Sequence, residues 1–165
     1  MGPLAARLAL VALLAVTVAG GTVAAGPAVA SPPTSCLTDA VPDPEAIEPA
    51  GTLDPVAYPD GWSNADDETL ASFLADFEAT YFTNRLLADG AELSDVFVET
   101  GSATVDRRAG GYTVEFNVYT ATYSGEGPMH GDGRYHVAYY VTGDVVRRTD
   151  GDGSPLAGRV LVDCP

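Results

Sequence analysis

A change of hydrophobic period at Asp89 and Gly90 constrains this chain more than any other feature. Before it the apolar residues recur as on a helix; after it they alternate as on strands. At 100° per residue, Leu70, Phe73, Leu74, Phe77 and Tyr81 fall within about a 100° stripe. Glu68, Ser72, Asp76, Thr80 and Thr83 take the opposite, solvated side. One amphipathic helix is expected, entered near Asn64 to Asp67, where side-chain oxygens cap it and Asp67 and Glu68 complement its positive end. It runs to about Ala88 and stops at Asp89 and Gly90, because glycine takes the left-handed cap conformation without steric cost.

Beyond the helix, Val96, Val98 and Thr100 share one face of the run from Ser94 to Arg108, and Ala103 and Val105 resume after a phase slip at Gly101, the mark of a bulge. Ala109, Gly110 and Gly111 turn the chain into a strand from Tyr112 to Tyr123, with Tyr112, Val114, Phe116 and Val118 on one face. A glycine-rich loop, GEGPMHGDG, precedes the strand from Arg134 to Thr142, which sets Tyr135, Val137, Tyr139 and Val141 against His136 and Tyr140. Gly143 and Asp144 lead into Val145 to Thr149, and DGDGSPLAG into a final strand from Arg159 to Asp163. The fold class is α+β: one amphipathic helix packed on a curved antiparallel sheet of four to five strands, cystatin-like in outline. That likeness is one of element order, and such folds host unrelated functions. Residues 63–165 form a single domain around one core.

Two segments precede this unit. Residues 1–30 read as a signal peptide: Arg7, then an uncharged run from Leu8, then the small-residue triplet Ala28, Val29, Ala30. The alternative is an uncleaved anchor, since the uncharged span reaches the roughly 20 residues needed to cross a bilayer. Residues 31–62, whose stretch from Leu37 to Trp62 holds Pro42, Pro44, Pro49, Pro55 and Pro59, too many for a helix or a central strand, form either a linker or an extended wrap docked through Leu53, Val56, Tyr58 and Trp62. The two cysteines leave a choice. Cys36 and Cys164 form a disulfide that ties the ends of the domain, as suits an oxidising exterior, or Cys36 carries a lipid and Cys164 stays unpaired.

Charge narrows the setting. The chain has no lysine, and its eight basic residues face 23 acids for a net charge of −15. Such a surface repels itself at low salt and is tolerated in brine, where the screening length falls to about 3 Å at 1 M. Arginine without lysine also follows from a GC-rich genome; the excess of acid does not. Phosphates would be repelled, with no basic cluster larger than Arg107–Arg108 or Arg147–Arg148, so nucleic acid is excluded as a partner.

The patterns FEATYFTNRLL (Phe77 to Leu87), GGYTVEF (Gly110 to Phe116) and YHVAYYVTGDVVRR (Tyr135 to Arg148) resemble those of uncharacterised exported proteins, often lipoprotein-like, of halophilic archaea. The resemblance runs from Asp67 to Thr149 and implies export and salt adaptation. It implies no activity.

Candidate chemistry is sparse. His130 and Asp132, with His136 in the following strand, could supply an imidazole and a carboxylate as base and orienter or as two metal ligands, but no further ligand completes a set in sequence, and no metal or other cofactor is expected. Asp150, Asp152 and Ser154 have the alternating oxygens of a calcium loop without its remaining ligands, so an ordinary turn is expected. Glu78, Tyr81 and Arg85 share the packed edge of the helix and are the candidate ligand-binding residues, with Glu78 as a base if it is desolvated; the competing reading is an ion pair at the core margin. Tyr119, Tyr123 and Tyr140 face away from the helix and could form an aromatic interface. No nucleophile elbow, phosphate loop or dinucleotide fingerprint occurs, and no catalytic residue is assigned. The expected protein is an exported, cell-surface, non-enzymatic binding or interaction module whose partner is a protein or small molecule. It would meet the membrane only through an N-terminal lipid or an uncleaved signal anchor. The alternative is a small-ligand binder or hydrolase-like enzyme with a cavity between helix and sheet.

Overall fold

The computed structural model describes residues 36–59, 61, 66–125 and 131–164. The proposed signal segment, Trp62 and His130 lie outside them. The helix, α1, spans Asp67–Ala88, and its N-terminal orphan donors are met by Asp66, whose carboxylate accepts from the Thr69 N–H at 2.8 Å. At its end Gly90 takes φ +83°, and the N–H groups of Asp89, Gly90 and Ala91 return to Arg85, Leu87 and Leu86.

Six strands follow: β1 Asp95–Thr100, β2 Thr104–Arg108, β3 Gly111–Tyr123, β4 Gly131–Val141, β5 Val145–Asp150 and β6 Arg159–Asp163. They form one antiparallel sheet in the order β1-β3-β4-β5-β6, with β2 also on β3, curled into a half-barrel around the helix. The expected first strand is thus two collinear strands on one edge. Thr100 pairs with Val118 and Thr104 with Glu115, so three residues from Gly101 oppose two, and the Gly101 N–H reaches the Asn117 carbonyl at 2.7 Å. β4 begins earlier than its side-chain pattern suggests, because the backbone pairs with β3 as far as Gly131 opposite Thr122. A register shift between Val146 and Arg147 leaves Leu161 as the extra residue on β6, and both Leu161 and Val162 enter the core.

The core lies between the helix and the concave face of the sheet, where Leu70, Leu74 and Phe77 meet Val114, Phe116, Val118, Val137 and Tyr139. Phe77 and Tyr139 meet edge to face at 6.4 Å. The proline-rich segment is part of this body. Cys36 and Val41 belong to the core, and Cys36 is disulfide-bonded to Cys164. Thr38 bonds β6 twice, its N–H to the Leu161 carbonyl and its hydroxyl to the Val160 carbonyl. Thr52 and Leu53 both donate to the Leu93 carbonyl, and Gly51 passes so close that a Cβ there would run into that carbonyl. Asn84 then clasps Val56, accepting from its N–H at 2.9 Å and donating to its carbonyl at 2.7 Å, and Tyr58 packs its ring 5.1 Å from Phe77.

One expectation is corrected. Thr80 and Thr83, placed on the solvated side by the helical wheel, are buried along with Asn84, and Thr83 satisfies its hydroxyl on the Ala79 carbonyl. A helix of period 3.6 shows one stripe to the sheet; here the wrap takes part of the reverse at Asn84.

Candidate functional site

Glu78 stands one turn beyond Leu74 in the same stripe, so the helix carries it into the concave face with no exposure at all. A buried carboxylate requires compensation. The donors come from the sheet. Arg148 on β5 presents its fork, Nε to Oε2 at 2.8 Å and Nη2 to Oε1 at 2.7 Å. Two rungs of β4 supply phenols, Tyr135 donating to Oε1 at 2.7 Å and Tyr139 to Oε2. The acceptor sites of the carboxylate are thereby filled by four donors.

The partners are tuned accordingly. Burial pushes the Tyr139 and Tyr135 phenols up, and the Glu78 charge adds to the effect. For Arg148 burial works against the charge, but its hydrogen bonds and ion pair with Glu78 outweigh that and hold the guanidinium protonated. Arg148 extends outward too, bonding Asp150 through Nη1 at 2.7 Å and lying 4.9 Å over the Tyr81 ring.

The three helix candidates therefore play different parts. Glu78 is sealed beneath the helix and pairs with Arg148, not with Arg85. Tyr81 is buried above the pair and accepts from Arg85 Nη1 at 3.0 Å. Arg85 is half exposed, and its Nε lies 4.0 Å from Asp89, too far for a hydrogen bond. Around these residues a cleft of about 280 Å3 opens at the C-terminal half of the helix, lined among others by Phe82, Arg85, Asp89, Tyr135, Arg148 and Asp150. An adjoining depression of about 210 Å3 shares Arg85, Arg148 and Asp150 and adds Arg159.

Other candidates are dispersed. His136 sits on the convex face, its Nδ1 3.1 Å from the Gly151 carbonyl and its Nε2 3.7 Å from Glu115. Asp132 pairs with Ala121 in the ladder. Asp150 holds Arg148 through one carboxylate oxygen, and Gly151 turns at φ +68°. On the convex face Tyr119 is 40% exposed beside Phe97 at 52%, with Arg134 stacked 5.2 Å above the Tyr119 ring. Tyr123 and Tyr140 are only half-buried there. A sulfur joined to Cys164 has no valence left for a lipid thioether at Cys36.

Sequence reasoning missed Arg148, yet a signal existed. On β5 it lies two residues from the core residue Val146, hence on the same inward face. An inward arginine calls for an acid, and Glu78 is the acid on the packed stripe. No protein-family model, curated protein or solved structure matches the chain.

Proposed function

We propose that the chain is an exported, non-enzymatic binding module of the cell surface, adapted to high salt and akin to the exported proteins of halophilic archaea that its motifs resemble. The occupancy of Glu78 carries this reading: with no exposure and four protein donors on its two oxygens, the carboxylate has no open position for a substrate group. Its chemistry is that of a fixed anion holding helix to sheet. The disulfide supports an oxidising exterior, and among the described residues no helix is long and apolar enough to cross a membrane. Small-ligand binding is favoured as the mode by the cleft beside Arg85.

Crosslinking on intact cells in molar salt tests this. Because the chain lacks lysine, the reagent must couple carboxylates, which are plentiful. Labelling without lysis, with a reproducible partner or retained ligand, is expected; labelling only after lysis refutes export. Salt adaptation is checked separately by the melting temperature, which should rise from low to molar salt. A flat or falling response would remove that part of the proposal.

A further inference from the structure

We infer that the cleft beside Arg85 takes a small zwitterion, a carboxylate and an ammonium on one apolar frame, the chemistry of a free α-amino acid. This rests on the binding-module reading and names its ligand class.

The argument begins with the charges that face the cleft: Arg85 and Arg148 against Asp89 and Asp150. On a chain of net charge −15 such a balanced lining is an exception. A net anion would be repelled by the surrounding field, and a net cation would be drawn to acids all over the surface, with no preference for this place. A zwitterion feels little of the net field and is selected by paired contacts of both signs.

The two arginines are not equivalent. Arg148 spends Nε and Nη2 on Glu78 and Nη1 on Asp150, so it forms a fixed wall. Arg85 bonds only Tyr81 through Nη1, and its other N–H groups have no hydrogen-bond partner among the described residues. Tyr81 is itself buried under the Arg148 guanidinium, so the hydroxyl that holds Arg85 is fixed. Arg85 thus offers a positioned fork for a carboxylate. Across the cleft, Asp150 has one oxygen on Arg148 and a second for an ammonium, and Asp89 lies at the rim. Phe82 and Tyr135, stacked on each other with centroids 5.9 Å apart, line the same cleft and supply apolar surface for the ligand's body. The volume of about 280 Å3 lies just under the roughly 300 Å3 at which drug-sized sites begin, which suits a single amino acid.

The test is an NMR titration of the full chain in molar potassium chloride with three probes: phenylalanine, phenylacetate, which lacks the ammonium, and phenethylamine, which lacks the carboxylate. Phenylalanine should bind saturably and move the Tyr81, Arg85 and Tyr135 resonances. Each single-charge probe should bind about tenfold more weakly, the loss of one charged hydrogen bond. Arg85→Gln should weaken phenylalanine about tenfold while leaving the melting temperature unchanged. Equal binding of phenylacetate would make this an anion site, and equal binding of phenethylamine a cation site; either overturns the inference. So would unaltered affinity in Arg85→Gln, or shifts confined to another face. If no probe binds while surface crosslinking still captures a partner, the inference fails and the binding-module reading stands.

Discussion

Leu74 and Glu78 occupy successive turns of one helix stripe, face the same sheet and are equally inaccessible to water, yet they are held there by opposite physics. Around Leu74 the contacts are non-directional, with valines and Phe116 of the concave face filling space. Around Glu78 four donors meet two oxygens in one geometry. An apolar core yields gradually when an atom is lost, because neighbours relax into the gap. A buried ion pair does not, since removing one partner strands the other in a medium that cannot solvate it. The helix is thus adhesive along one half and keyed along the other, and the key fixes its rotation over β4 and β5.

The sharpest way to break the comparison is to remove one half of the key. Arg148→Met should cost about 3–5 kcal/mol by leaving Glu78 unpaired, read as a drop in the denaturation midpoint. Leu74→Ala should cost about 2–5 kcal/mol through its cavity. The two ranges overlap, so the distinguishing measurement is repair. Glu78→Leu combined with Arg148→Met, Tyr135→Phe and Tyr139→Phe should recover most of the loss, since these apolar groups leave neither a stranded charge nor an unpaired buried phenol. If this combined variant is as unstable as Arg148→Met alone, the cluster is not an isolated key and the proposed contrast fails.

What the sequence makes legible follows the same division. The stripe from Leu70 to Tyr81, the alternation of Val114, Phe116 and Val118, the slip at Gly101 and the stop at Gly90 are signals with a period or a local rule behind them. Each is found where its rule places it. The pairing of Glu78 is not periodic. Its partner is 70 residues away, and the choice between Arg85 and Arg148 depends on which strand lies under the helix, a fact of topology. A helical wheel shows Arg85 beside Glu78 and cannot show Arg148. The cover over Asn84 escapes the helical pattern for a related reason: a proline-rich segment has no period, so nothing in it announces which surface it lies on.

That wrap supplies a smaller effect. Asn84→Ala removes both bonds to Val56 and should cost about 1–3 kcal/mol, because the Val56 amide groups lose their partner. The loss should be local. Proteolysis near Val56 should quicken while the disulfide at Cys36 still holds the segment's far end. An unchanged cleavage rate would mean that Tyr58 and the Leu93 contacts secure the wrap without Asn84.

The smallest effect at neutral pH belongs to Tyr58, and it grows only in alkali. Its hydroxyl is buried without a hydrogen bond of good geometry, so Tyr58→Phe should be near neutral in stability at pH 7. Burial nevertheless pushes this phenol from 10.0 up to about 12, although the Asn84 amide draws it partly back. The folded state therefore keeps a proton that the unfolded chain releases. Stability contributed by the neutral phenol is intact below pH 10 and is lost as pH rises from there towards 12. Tyr135 and Tyr139, raised by burial and by the Glu78 charge, extend the loss to higher pH. Thermal melts across this range should show a falling limb that is shallower in Tyr58→Phe and unchanged in Leu74→Ala, since no proton is bound on the apolar side. A limb of equal slope in wild type and Tyr58→Phe would place the alkaline sensitivity in the keyed half alone, and would make the contrast between the two halves sharper still.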